Sequence, residues 1–470
     1  MKASKNIVIS LMLTIFLFSS CASYYQKSYQ FQEQFSNGNI KEAQAFLISQ
    51  KKAAEKKDRL LYFLDRGVVE QMLGNYEASN VYFEMAYLYN QDYRKNFKYD
   101  ILGTITNPML KPYKAEDHEV VLVHFYKAIN FIQLRDFDAA LVEVRRVNIS
   151  LNDLNDKYKD KKNRYKEDAF AHLLMGIIYE AKNDANNAFI AYRNALNVYK
   201  GVYSKEFKVL IPDQLKKDVL RTAAKNGFRT ELKEYESEFG MTYEKESQSD
   251  GELVFFWLNG LSPVKGEFSM NLARSEGTGG GLVFANESGA YNFPINISGQ
   301  VNSSNEEGLA DVRFVRMAIP KYRVRKPLVS NAHLLVDGKK MNFELAEDIE
   351  QIALAGLEDR MLREIGKSVA RLVLKQAAEI VATNQNKDAG FVLSALNAIT
   401  EKADTRNWQS LPHSIYYQRV SLTSGSHDVN LVTTGSNISK QSVDFKVEIG
   451  KGESIFRTFH SLESSLPLEQ

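Results

Sequence analysis

One spacing pattern recurs in the first half of the chain, and it leaves little room for anything but stacked helix pairs. A small residue and an aromatic are followed at fixed offsets by Gly, aromatic, Ala, aromatic and Ala. The clearest copy runs from His172 through Gly176 and Tyr179 to Ala188, Tyr192 and Ala195. A second runs through Ala128 and Phe131 to Asp136-Phe137-Asp138-Ala139-Ala140, Val144 and Val147. A third runs through Gly67 to Gly74-Asn75-Tyr76, Ser79, Phe83 and Ala86, and a weaker one begins near Gln30 with Gly38-Asn39-Ile40, Ala43 and Leu47. Small residues belong where two helix backbones cross, and large ones where they diverge. Neither helix of a pair buries its apolar face alone, so neighbouring pairs must stack.

This is the tetratricopeptide pattern. The equivalent small positions Ala43, Ser79, Ala140 and Ala188 are separated by 36, 61 and 48 residues, against about 34 for a standard repeat. Two copies therefore carry insertions, at about 92–117 and 150–166. The first holds Pro108, Pro112 and Gly103, which exclude a continuous helix. A further helical pair at 212–237, with Leu215, Val219 and Ala223, caps the array. Gly67, Ala86, Ala128, Ala140, Gly176, Tyr179, Ala188, Tyr192 and Ala195 are the expected packing residues.

After the polar stretch Glu244–Gly251 the period changes from helical to alternating. Leu253-Val254-Phe255-Phe256-Trp257-Leu258 reads as a central strand. Further strands are expected at 266–272, 290–298, 311–319 and 330–345, the last turning at Asp337-Gly338. A helix follows, with Met361, Ile365, Val369, Leu372, Val373, Gln376 and Ile380 on one face, then a shorter helix at 389–402. Strands resume near 414–423, 427–434, 441–449 and 453–459. The expected fold class is α+β and multidomain: a tetratricopeptide-like helical array over 30–240, a linker at 241–251, and a β-sandwich-like domain over 252–470 with a helical hairpin inserted at about 346–403.

The single cysteine excludes an intrachain disulfide and lies in a telling place. Lys2 and Lys5, an apolar run from Ile7 to Phe18, and small residues before Cys21 resemble a bacterial lipoprotein signal peptide. Phe18 stands where that signal most often has Leu. The run is short of the ~20 apolar residues of a membrane span. The resemblance implies cleavage of 1–20, acyl chains such as palmitate on Cys21, a tether over 21–29, and a periplasm-facing place at the outer membrane. Without Lys2 and Lys5 the formal charge falls from +2 to 0, which lacks the basic footprint nucleic-acid binding needs.

Little catalytic chemistry is legible. His118 and His124, with Glu116, Asp117 and Glu119 nearby, do not match a zinc spacing, and no metal or other cofactor is expected. Gly277-Thr278-Gly279-Gly280-Gly281 lacks the Lys-Ser/Thr of a phosphate loop, and no nucleophile elbow appears. The chain therefore reads as a non-enzyme. The repeats, Pro112-Tyr113, Ala139–Asn148, Leu258–Lys265, Ala318–Tyr322 and Asp404-Thr405-Arg406-Asn407-Trp408 together resemble an uncharacterised family of tetratricopeptide-containing lipoproteins of Gram-negative bacteria. That resemblance covers most of the mature chain and transfers no catalytic residue.

The function expected is a membrane-anchored scaffold whose repeat groove binds a protein or peptide through Tyr62, Arg66, Glu70, Lys127, Asn130 and His172. An alternative is peptidoglycan binding by the β-rich domain, with Arg406 and Trp408 facing the ligand; an enzyme with an unfamiliar site is a third. For Asp404–Pro412 a structural role competes with the ligand role: Trp408 and Leu411 pin a chain crossing while Asp404 and Arg406 pair or cap.

Overall fold

A computed structural model describes residues 24–95, 109, 111–156, 163–244, 250–276, 282–286, 292–295, 312, 314–385, 403–435 and 438–468. Cys21, the 1–20 leader, the Gly277–Gly281 run and the helix expected at 389–402 lie outside the described residues.

The chain enters with a single turn, α1 (Tyr24–Lys27). Five helix pairs follow: α2 (Tyr29–Ser36) with α3 (Ile40–Ser49), α4 (Arg59–Met72) with α5 (Tyr76–Lys95), α6 (Asp117–Gln133) with α7 (Phe137–Asn155), α8 (Ala169–Ala181) with α9 (Ala185–Val198), and α10 (Asp213–Lys225) with α11 (Arg229–Phe239). All five turns within pairs are built alike. Each has one residue at positive φ, namely Gly38, Gly74, Arg135, Asn183 or Gly227, and the second helix starts two residues later. A left-handed residue there ends the first helix and reverses the chain. Arg135 and Asn183 adopt this conformation without being glycine, so the pair geometry imposes it. The expected cap at 212–237 is thus a fifth pair with the same turn.

Capping and close contact fix each pair. Asp136, Asp168 and Asp184 accept the amide N–H of Ala139, Ala171 and Asn187, three residues on, satisfying a donor with no partner inside the helix. The fourth residue of each of the first four second helices is Ala43, Ser79, Ala140 or Ala188, and all are fully buried. Gly67 faces the Phe83 ring and Gly176 the Tyr192 ring so closely that a Cβ on either would overlap the ring.

Among the described residues the β half has three four-stranded sheets. The first orders β12 (Ser454–Ser461), β1 (Gly251–Asn259), β9 (Ser414–Leu422) and β8 (Glu344–Asp348). Its β1–β12 pairing is parallel, Glu252 opposite Ser454, and β1–β9 is antiparallel. The second orders β11 (Ile438–Ile449), β10 (Gly425–Gly435), β6 (Val329–Val336) and β7 (Lys339–Asn342). The third orders β4 (Asn292–Ile295), β3 (Leu282–Ala285), β2 (Val264–Glu276) and β5 (Phe314–Arg323).

The continuous apolar run of β1 has a direct reason: both faces are covered. Leu253, Phe255 and Trp257 pack with Leu334, Val336, Leu431 and Val447 of the second sheet. Val254, Phe256 and Leu258 point the other way, into the core of the helical pairs. The third sheet is covered separately by a 37-residue helix, α12 (Ile349–Gln385), through Val369, Leu372, Val373 and Ala377.

Three expectations change. The β half is a two-sheet sandwich plus a third sheet, and β3 was not foreseen because its glycine-rich flank reads as a loop. The helical and β halves share one apolar core running from Phe31 through Tyr192 to Phe456, so the stretch at 241–251 does not separate two bodies. The tether expected over 21–29 is not free from Tyr24 onward: the Tyr24 amide donates to Thr405 Oγ1 at 3.1 Å and Ser28 Oγ to Gln409 Oε1 at 3.3 Å.

Candidate functional site

The segment Ala403–His413 runs from the inserted helical region back to β9 and crosses the first helices of the repeats on the way. Its side chains are the plug of the array's inner face. Trp408 is 0% exposed, with ring centroids 5.9 Å from Phe83 and 5.6 Å from Tyr126. The Trp408 amide donates to Glu119 Oε1 at 2.6 Å, and its indole Nε1 to Ser410 Oγ at 2.9 Å. Ser410 in turn donates to Asp65 Oδ1 of α4 at 2.7 Å. Arg406 is 1% exposed. Its guanidinium reaches Asp404 at 2.7 Å, Asp58 at 2.9 Å and the Lys111 carbonyl at 2.9 Å, and lies over the Tyr113 ring. Arg325 binds the segment from the sheet side, donating to the carbonyls of Gln409 at 2.5 Å and Ser262 at 2.7 Å.

The carboxylates under this segment are unusual. Burial pushes Asp65 up to about 7, against the pull of the Ser410 hydroxyl. Burial and the neighbouring Glu116 push Glu119 up to about 7, although Tyr113 OH and the Glu116 and Trp408 amides all donate to it. Burial alone would raise Glu116 too, but Arg360 and Lys265 outweigh it and hold Glu116 at about 2. Two acids are therefore held by neutral donors and one by cations within a single patch.

Two further contacts close the same interface. Arg419 points inward from β9, 2.9 Å from Glu180, 3.1 Å from Asp218 and 2.6 Å from Glu252, and donates to Tyr192 OH at 2.6 Å. Burial would raise Glu180, but Arg221 and Arg419 outweigh it and keep it well below the usual range. In front of this network lies an open cleft of about 490 Å³, bordered by Lys217, Lys225, Tyr243, Asp250 and Glu453. Below it, Tyr199 OH donates to the Ala346 carbonyl at 2.7 Å and Tyr203 OH to Glu347 at 3.1 Å.

Against this geometry the expected groove is corrected. Arg66 pairs with Glu70 at 2.6 Å and covers the Tyr82 ring, Tyr62 OH accepts from Arg66, and Gln44 donates to Glu70. Lys127 pairs with Glu143 at 2.8 Å and with Glu84. Asn130 donates to Ser79 and accepts from Gln71. All five residues are buried between helices of the array, because their stripe turns toward the neighbouring helix and not toward an open groove. His172 is half-buried, with no hydrogen-bond partner at Nδ1 among the described residues. Arg406 and Trp408 are not ligand-facing either: both are sealed inside, in the pinning role weighed above. The packing residues Gly67, Ala86, Ala128, Ala140, Gly176, Ala188, Tyr192 and Ala195 are buried, and Tyr179 is half-buried and accepts from Arg145.

Asp65 and Arg419 were missed and Glu119 was weighed only as a metal ligand, yet each leaves a trace. Asp65 interrupts the buried stripe Leu61–Val68–Val69, Glu119 stands three residues after Glu116 at a helix start, and Arg419 continues the inward alternation Ile415–Tyr417. A charge on an apolar face signals a buried partner. His124 is used structurally, Nδ1 lying 2.8 Å from Glu143. Among the described residues no group of three or more His, Cys, Asp or Glu is placed to hold a metal ion.

No family model matches the chain, and no curated protein matches it. Solved structures similar to it include the crystal structure of MamA, at 13% identity over 44% of this chain and 90% of that one, TM-score 0.28. The apo form of RapI is 15% identical over 46% and 68%, TM-score 0.32. A Podosopora anserina putative kinesin light chain with nearly identical TPR-like repeats is 13% identical over 46% and 92%, TM-score 0.30. Scores this low carry no argument by themselves. The five like-built turns and the small-residue crossings make the helical half tetratricopeptide-like.

Proposed function

We propose that this chain is a lipid-anchored, periplasm-facing lipoprotein of the outer membrane that acts as a protein-binding scaffold, not an enzyme, and that it reads its partner with the outer row of helices. The observation that carries the reading is where the exposed apolar side chains lie. The inner face is filled by the chain's own Ala403–His413 segment and first sheet. On the helical pairs Ile48, Val81, Met85, Leu88, Val142, Ile149 and Ile190, by contrast, are 40–59% exposed and sit on second helices, α3, α5, α7 or α9, Tyr29 of α2 being the exception. Val81, Met85 and Leu88 follow the helical three-to-four-residue step and share one face. Contiguous exposed apolar positions of this kind mark interaction surfaces, and repeat arrays present such rows to partner chains.

Anchoring comes from Cys21, on the strength of the leader that precedes it; no helix among the described residues is long and apolar enough to cross a membrane. Sugar stacking by Trp408 has no support, since the ring is enclosed.

The test is crosslinking of the full-length protein in cells, followed by purification and mass spectrometry, repeated with Val81→Glu, Met85→Glu and Leu88→Glu combined. The proposal expects a specific envelope protein crosslinked to α5 or α7 and lost in the variant, with the circular dichroism spectrum unchanged. A partner retained equally by the variant contradicts the outer-row reading.

A further inference from the structure

A basic ledge lies beside the place where the described chain begins. Lys51, Lys52 and Lys56 fall in or just after the 3-10 turn Lys51–Glu55, and Lys114 in the segment bonded to Lys57. All four are exposed, and none forms an ion pair among the described residues. The two segments are held together: the Tyr113 amide donates to the Lys57 carbonyl at 2.8 Å, and Lys57 Nζ donates to the Met109 carbonyl. Nearby acids are already engaged. Asp58 and Asp404 both hold Arg406, which leaves Glu55 as the exposed carboxylate within the run.

The ledge is tied to the N-terminus through that same Arg406. Its guanidinium bridges Asp58 and the Lys111 carbonyl, and the preceding residue, Thr405, accepts the Tyr24 amide. Tyr24 lies three positions after Cys21, and three residue steps span at most about 11 Å however they are arranged. A cysteine held at a bilayer surface would therefore keep Tyr24 close to it, and the ledge is tied to Tyr24 through Thr405, Arg406 and Asp58.

We propose that the ledge formed by Lys51, Lys52, Lys56 and Lys114 docks on anionic phospholipid headgroups, so that the body lies against the membrane and the outer helices are presented at a fixed orientation. The orientation rests on lipid attachment at Cys21; the headgroup binding does not. Lipid chains and a basic patch act as two signals that reinforce each other.

The test uses the unacylated chain from Ala22, which keeps every described residue, and sedimentation with vesicles. The proposal expects binding to phosphatidylcholine vesicles containing phosphatidylglycerol, little binding to phosphatidylcholine alone, and weakening with salt. Combined Lys51→Glu, Lys52→Glu, Lys56→Glu and Lys114→Glu should lower binding on the order of 600-fold, at roughly fivefold per lysine. A control with the same charge change elsewhere, Lys166→Glu, Lys205→Glu, Lys440→Glu and Lys451→Glu, should keep it. Equal binding by the ledge variant, equal loss in the control, or no preference for the anionic vesicles overturns the proposal. The mass of the mature protein from cells reports acylation of Cys21 separately, so one reading can fail without the other.

Discussion

Trp408→Ala strikes the point where the helical and β halves are joined. The ring is wholly enclosed, and truncating a buried Trp to Ala costs about 3–5 kcal/mol from lost transfer energy and the cavity left behind. Packing against Phe83 and Tyr126 is included in that range and places the substitution toward its upper end, since each aromatic pair adds about 0.5–1.5 kcal/mol. The Trp408 amide bond to Glu119 survives, because it is backbone, and Ser410 keeps Asp65. The expected loss is therefore about 4 kcal/mol. The chain has two tryptophans, so the variant leaves Trp257, inside the sandwich, as the only indole reporter. Urea unfolding followed by far-ultraviolet circular dichroism reads the helices, and Trp257 fluorescence reads the sheets. Both transitions should move to lower urea together. A loss below about 1 kcal/mol, or a helical transition that stays at the wild-type midpoint while Trp257 shifts, would refute the reasoning, since the halves would then be independent.

Stability should also depend on pH with a worked sign. Asp65 and Glu119 hold protons up to about 7 in the folded chain and release them near 4 when unfolded. Their contribution is full below about pH 4 and is lost as pH rises to about 7. His118, held down to about 4 by burial, acts oppositely: its contribution is full above about 6.5 and is lost as pH falls to about 4. Between about pH 4 and 7 the two acids outweigh the one histidine, so the melting temperature should fall as pH rises through this range, and Asp65→Asn, which keeps an acceptor for Ser410, should make the fall shallower; an unchanged profile in that variant would count against the buried-acid assignment. Gly176→Ala forces a Cβ into the Tyr192 ring and should cost about 1–3 kcal/mol by overpacking, measured by chemical denaturation, whereas a neutral or stabilising result would mean the helices cross elsewhere.

How far the sequence speaks depends on the element. The helix pairs were legible because their code is steric: Gly67 against Phe83 and Gly176 against Tyr192 leave small and large residues at fixed offsets. β1 was legible because a strand buried on both faces cannot hide its apolar run. The orientation of the helices was not. Tyr62, Arg66 and Glu70 look like a solvent-facing groove because they are polar, yet the structure buries them as paired charges, an arrangement that hydropathy scores as exposure. The plug was legible only in part: the pinning by Trp408 and the Asp404–Arg406 pair could be read, its depth could not. Asp404–Ser410 is polar and irregular, as a loop should be, and its burial is visible only once Glu119, Asp65 and Asp58 are seen to supply partners from more than 280 residues away. Long-range pairing of this kind leaves no local period. The positive φ of Arg135 and Asn183 was likewise hidden, since neither residue advertises a turn as glycine does.

The central claim is that the chain fills its own repeat face, and hydrogen exchange in the native full-length protein tests it most directly. The segment from Arg406 to His413 has amides bonded to the half-buried Asp404, to buried Glu119 and to the carbonyl of buried Asn259. It should exchange about as slowly as β1 and α4, at rates set by global unfolding. Exchange of 406–413 at the rate of an open loop, with β1 and α4 still protected, would mean that the face is vacant in solution and would contradict the account.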